Sequence, residues 1–220
     1  MKQFLDACLK ANLQISEYLN NICESDLSFC PELGYDNNQS YKLDLKCEKI
    51  FIEHLCNLGQ IFSEESGLIG ENSPYKIILD PLDGSSNFVS KIPFYGTSAA
   101  LFKDEEAQSA FICNLANNEI LIFDDNKNLK SNLFNPNYSP FLPNHFSQIG
   151  IVEKITLYPS LINHLAQNKL KFRSLGATAL SIAYAPYFSF VLVLGKTRIF
   201  DTTGALMLCK NLYIENRLRI

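Results

Sequence analysis

Residues 79–88 read LDPLDGSSNF. Asp80 and Asp83 stand three apart with Pro81 between them, and Gly84, Ser85 and Ser86 follow at once. The stretch before them, YKIIL at 75–79, is apolar and β-branched, the pattern of a buried strand. Hard divalent cations such as Mg²⁺ take oxygen ligands, typically a few carboxylates together with water and substrate phosphate. A turn through Pro81 can bring both carboxylates to one point, with the Leu82 carbonyl as a further oxygen. The backbone N–H groups of Gly84, Ser85 and Ser86 would then face an anion. One decapeptide can therefore hold a metal and a phosphate side by side, although Asp-Gly taken alone is an ordinary turn.

Asp44, Glu64, Glu65 and Asp201 also stand at the ends of apolar segments, where strand termini commonly build sites. Each has a plainer reading by itself. Glu64-Glu65 fits a solvated pair. Asp201 in DTTGALML fits a helix N-cap, and Asp44 could cap or flank the helix that follows it. Their joint occurrence with Asp80 and Asp83 is what separates them from those readings.

The elements that must position these acids follow from periodicity. Residues 3–22 and 45–58 carry apolar side chains at helical spacing, the second helix ending at Gly59. Short strands are expected at 60–62, 76–80 and 96–102, and a strand pair around a turn at Asn117-Asn118. A further strand is expected at 149–155, a helix at 158–170 with Pro159 in its first turn, a short strand at KFRSLG, a helix at 178–185, a strand at 188–195 and a helix start at 205–210. Residues 24–41 and 124–147, rich in Asn, Pro, Ser and Gly, read as irregular connections. Helices and strands alternate but hairpins also occur, so the fold class is α/β, mixed and layered.

Composition narrows the function. With 220 residues and 47% apolar content the chain can build a sizeable core. The net charge of −4 comes without a basic patch, so neither nucleic acid nor a membrane surface is an expected partner. Seven cysteines form no CxxC pair, which supports neither a zinc site nor a disulfide framework. No signal peptide or long apolar run is visible, and a soluble cytoplasmic protein is expected.

DPLDGSSNF, preceded by SEESG and followed by FDTTGA, resembles the lithium-sensitive, magnesium-dependent phosphatase superfamily. It includes the inositol monophosphatases and the fructose-1,6-bisphosphatases, and the similarity leans to the former. Phe200 stands where the family's final motif usually has tryptophan. The resemblance implies a single phosphatase domain over 1–220 of αβαβα layers, with halves at 1–115 and 116–220, the C-terminal layer shortened. It implies two or three Mg²⁺ ions held by Glu65, Asp80, the Leu82 carbonyl, Asp83 and Asp201. Asp44, Glu65 and Ser85 would be catalytic, Asp44 and Ser85 positioning the attacking water. Gly84 and Ser85 would cradle the phosphate, while Gly176, Ala177 and Thr178 would contact the organic part of the substrate. The implied reaction is hydrolysis of a small polyol or sugar phosphate, with fructose 1,6-bisphosphate or a 3′-phosphoadenosine nucleotide as alternatives. A non-catalytic metal- and anion-binding relative is the alternative of another class. Inositol phosphatases often carry a glutamate seven residues before the final aspartate, and Leu194 occupies that position here. A homodimer, common in the family, would cover apolar surface left by a reduced C-terminal layer.

Overall fold

The computed structural model describes residues 2–35 and 39–215. In chain order the elements are α1 (Lys2–Asn20), β1 (Phe29–Leu33), β2 (Gln39–Tyr41), α2 (Lys42–Leu55), β3 (Gln60–Ser63), β4 (Gly67–Ile69), β5 (Tyr75–Asp83) and α3 (Ser85–Val89). They continue with β6 (Gly96–Lys103), β7 (Glu106–Asn114), β8 (Glu119–Asp124), β9 (Lys127–Asn132), β10 (Ser139–Pro140) and β11 (Ile149–Glu153). The last are α4 (Pro159–Gln167), β12 (Lys171–Arg173), α5 (Thr178–Ala183), β13 (Val191–Val193) and α6 (Ile199–Leu208).

Five layers result. α1 buries Phe4, Cys8, Ala11, Ile15 and Leu19, and α2 buries Leu43, Cys47, Phe51 and Leu55, each a single helical stripe. Both stripes join the core on one face of an eight-stranded sheet ordered β10-β9-β8-β7-β6-β5-β3-β4. On its other face α5 and α6 pack Leu180, Ala183, Ala205 and Leu208 against Ala100, Ala110, Ile112 and Leu121. Behind them lies a parallel three-stranded sheet, β12-β11-β13, with Leu161 and Leu165 of α4 against it. This is the αβαβα order that the resemblance implies. Residue 115 falls between β7 and β8, hydrogen-bonded neighbours within one sheet.

Two expected connections are structured. Part of 24–41 forms a 3₁₀ turn at Glu24–Leu27 and the antiparallel pair β1–β2; residues 36–38 lie outside the described residues. Part of 124–147 supplies β9 and β10, which extend the large sheet. Both hold polar residues or proline, so they lack an apolar alternation and are specified by backbone pairing to a neighbour. α6 begins at Ile199, six residues before the expected helix start, so Asp201 lies in its first turn with Arg198 as N-cap. No helix among the described residues is long and apolar enough to cross a membrane.

Candidate metal centre and active site

The site grows from the register of two parallel strands. β3 pairs with β5 so that Ser63 stands opposite Leu79, and the Glu64 N–H still donates to the Leu79 carbonyl at 3.1 Å. The next residues, Glu64 and Asp80, therefore emerge side by side at the strands' C-terminal ends, where α/β sheets commonly place ligands. Beyond Asp80 the pairing of β5 with β6 slips: Asp80 lies opposite Ser98, but Asp83 lies opposite Gly96. Three steps on one strand match two on the other, which is a bulge. Pro81 sits inside it, where its missing N–H breaks no ladder bond. The bulge re-aims Asp83 toward α5, whose Leu180 N–H donates to Asp83 Oδ2 at 2.9 Å.

α6 brings the third wall. Asp201 projects from its first turn, where the helix dipole favours a carboxylate. Phe200 beside it is buried and packs on Phe62 of β3 with ring centroids 4.8 Å apart, which fixes Asp201 next to Glu64. Glu64, Asp80 and Asp201 each present a carboxylate oxygen, and these oxygens lie within 4.8 Å of one another. Arg198 spans two of the three. Its Nη2 and Nε donate to Asp201 Oδ1 and Oδ2 at 2.7 and 3.1 Å, and Nη1 donates to Glu64.

One guanidinium cannot neutralise four clustered acids, three of them buried. Asp80 is pushed well above the usual carboxylate range by burial, then by the charges of Glu64 and Asp83. Burial raises Glu64 to about 8, with Arg198 opposing and Glu65 adding to the rise. Burial raises Asp83 to about 7, against the bond from Leu180 and with the charge of Asp201. Asp80 Oδ1 accepts the Leu82 N–H at 3.1 Å, but Oδ2 is buried with no partner among the described residues. An unpartnered buried carboxylate oxygen is costly. An all-oxygen donor set with a surplus of negative charge and an orphaned lone pair fits a hard divalent cation. Glu64, Asp80 and Asp201 would hold it, with Asp83 alongside.

A second acidic group flanks the first. Asp44 is in the first turn of α2, where its Oδ2 accepts the Tyr41 N–H at 2.8 Å and caps the helix. Its Oδ1 is buried without a partner among the described residues. Burial and the charge of Glu65 raise Asp44 to about 8, while the nearby Ser85 hydroxyl favours its charged form. Glu65 is hydrogen-bonded by Ser40 of β2 and is raised by burial. The resemblance implies Glu65 as a metal ligand; the carboxylate that meets those of Asp80 and Asp201 is that of Glu64. Adjacent residues leaving a strand point to opposite sides, and the register gives the side of Asp80 to Glu64.

The remaining expected residues form the rim. Gly84 has φ of 80°, and a Cβ there would come within 2.9 Å of the Ala177 Cβ, so glycine is required for this close approach. Gly176, with φ of 78°, rests on Asn87, whose Nδ2 donates to the Leu175 and Phe94 carbonyls at 2.7 Å each. Thr178 lines a cavity of about 670 Å³ together with Lys154, Lys196, Arg198 and Asp201. Leu82 packs its side chain into the main core.

Two residues escaped the sequence reading. Arg198 is one. The other is Glu153 at the end of β11, 2% exposed. It accepts from Ser181 Oγ at 2.6 Å and from the N–H groups of Leu175 and Gly176 at 3.1 Å each, pinning the segment that carries Gly176–Thr178. An acid closing the apolar run IGIV carries the same sequence signal as Asp80.

A layered αβαβα fold thus carries an oxygen-only acidic cluster at the ends of two parallel strands. The sequence pattern described as the inositol monophosphatase family matches residues 35–212. The chain belongs to the inositol monophosphatase family. It is 35% identical over 82 residues to a fructose-1,6-bisphosphatase of Pyrococcus furiosus, which covers 37% of this chain and 32% of that relative. Over 208 residues it is 26% identical to a fructose-1,6-bisphosphatase/inositol-1-monophosphatase of Methanocaldococcus jannaschii, covering 88% of this chain and 77% of the other. Its fold is similar to that of the Thermotoga maritima IMPase, with a TM-score of 0.79 at 19% identity over 96% of this chain and 83% of that one.

Proposed function

We propose that this protein is a Mg²⁺-dependent phosphomonoesterase acting on a small polyol or sugar phosphate in the cytoplasm. The observation that carries the reading is the convergence of Glu64, Asp80 and Asp201, with Asp83 beside them and Asp44 near Glu65 and Arg198. When bound, two or three divalent ions supply positive charge and Lewis acidity to the phosphoryl group, the attacking water and the departing alkoxide. The chain's own residues do the rest. Asp44 Oδ1, buried without a partner among the described residues, accepts a hydrogen bond from the attacking water, and the Ser85 hydroxyl next to Asp44 fixes the water's orientation. Gly84 lets the backbone at Ser85 approach the phosphate closely. The Gly176–Thr178 segment, held by Glu153 and Asn87, borders the organic part of the ester.

A second reading of the substrate has its own support. Leu194 packs into the small-sheet core and offers no carboxylate to sugar hydroxyls, while Lys154 and Lys196 line the cavity next to Asp201. That favours an ester with a second anionic group, such as a sugar bisphosphate or a phosphorylated nucleotide.

The test is phosphate release from a panel of inositol, sugar, sugar bisphosphate and 3′-phosphonucleotide esters, with Mg²⁺ and with chelator. Mg²⁺-dependent release from at least one class is expected, with inhibition by Li⁺. Release from none would leave the chain a non-catalytic member of its family.

A further inference from the structure

Arg198 is the one side chain of opposite sign ion-paired to the acidic cluster among the described residues. Its fork engages both oxygens of Asp201 and reaches Glu64 as well, leaving Asp80 as the member it does not bind. The arrangement is built rather than incidental. Arg198 is the N-cap of α6, its carbonyl accepts the Thr202 hydroxyl at 3.0 Å, and Asp201 follows one turn later on the same helix. Lys154, which lines the same cavity, gives its Nζ to the Lys196 carbonyl at 3.0 Å. Burial alone would pull the guanidinium's proton affinity down, but the bonds to Asp201 and the charge of Glu64 more than offset this.

The lone pairs that Arg198 uses are those a divalent cation would use. A guanidinium and a divalent ion cannot share them fully, and two positive charges at contact range in a partly desolvated site repel. We propose that Arg198 is a resident counter-cation that keeps the carboxylates assembled without metal and competes with metal for Glu64 and Asp201, so that this side chain sets how tightly the site binds a divalent ion. It is a positioning residue, acting through the carboxylates. The opposite role is also physically reasonable: a side chain that orients ligands would strengthen metal binding, and its loss would weaken it. The sign of the change therefore decides.

The inference rests on the cluster being a divalent-cation site and on nothing about the substrate, so the phosphate-release panel and the experiment below fail separately. Mg²⁺ and Mn²⁺ binding to the full chain is measured by calorimetry at fixed pH and ionic strength, without substrate. Arg198→Gln is expected to bind Mg²⁺ at least about tenfold more tightly than wild type, the factor expected from relieving one charge-assisted contact. In chelator the variant is expected to melt several degrees below wild type, since its carboxylates then repel without compensation. Saturating Mg²⁺ should close that gap. If Arg198→Gln does not fold in chelator, Arg198→Lys keeps the charge but loses the fork, and should bind Mg²⁺ a few-fold more tightly than wild type. Equal or weaker Mg²⁺ binding by a folded variant overturns the proposal.

Discussion

Two buried acidic regions of this molecule solve the same problem in opposite ways. Glu153 is 2% exposed and its carboxylate is met by amide N–H groups and a serine hydroxyl. Glu48 is likewise answered by the N–H and hydroxyl of Ser66, at 3.1 and 2.6 Å. Asp80, as deeply buried, receives one bond and has an oxygen without a partner among the described residues, and its neighbours Glu64, Asp83 and Asp201 add charge of the same sign. A fold that can satisfy Glu153 so fully is capable of satisfying Asp80. Acids the protein answers itself hold loops in place, whereas the Asp80 oxygen left without a partner among the described residues suits a cation from solution.

The sharpest way to break that contrast is Asp80→Asn. The amide keeps an oxygen for the Leu82 N–H but removes a charge from the cluster. Turnover is expected to fall on the order of 10³-fold, beyond the 10–100-fold typical of residues behind the metal ligands. The metal-free variant should melt above wild type, because like-charge repulsion is relieved, and the rise in melting temperature with Mg²⁺ should largely disappear. A variant less stable than wild type in chelator would mean that the cluster is structural, like Glu153.

Next in size is the pair Glu64→Gln and Glu65→Gln. Only Glu64 reaches Asp80 and Asp201; Glu65 is spoken for by Ser40. Glu64→Gln is expected to weaken Mg²⁺ binding by at least about tenfold more than Glu65→Gln does, measured by calorimetry. Equal effects would erase the distinction drawn from strand register.

That distinction shows what the sequence could and could not carry. The strand at β5 and the stripe of α1 are legible because burial of one face imposes a period. Asp80, Asp83 and Gly84 are legible because proline, glycine and paired acids at a strand end are costly without a purpose. Which of Glu64 and Glu65 turns inward depends on Ser63 lying opposite Leu79, and that pairing is tertiary. The β1–β2 pair and β9 escaped for a similar reason. FCPEL and KNLKSN carry little apolar alternation and exist as strands because a neighbour supplies the bonds. Arg198 escaped because an arginine three residues before an aspartate is an ordinary helix-start pair until Glu64 arrives from a residue 134 positions away in the chain.

Glu153→Gln sharpens the contrast from the other side. The variant places an NH₂ group where at least some of the N–H and hydroxyl donors now find acceptors. A loss of about 1–3 kcal/mol is expected, the cost of leaving buried donors unsatisfied. The loss should be the same in chelator and in Mg²⁺, read from denaturant midpoints. A loss that Mg²⁺ repairs would place Glu153 with the metal cluster.

The smallest expected effect is the response to pH, and its sign follows from linkage. Asp44 and Asp83 have folded pKa values of about 8 and about 7, above their ordinary carboxylate value. Between that ordinary value and the folded one, the folded chain binds more protons than the unfolded chain, so stability falls as pH rises. In chelator the melting temperature is therefore expected to drop by a few degrees between pH 5.5 and pH 8.5. Mg²⁺ binds the deprotonated carboxylates, so its stabilisation should grow over the same interval and flatten or reverse the drop. Asp80→Asn, with one fewer charge to confine, should show a shallower slope in chelator. A metal-free melting temperature that rises through this window would show that the acidic cluster is as well answered by the protein as Glu153 is.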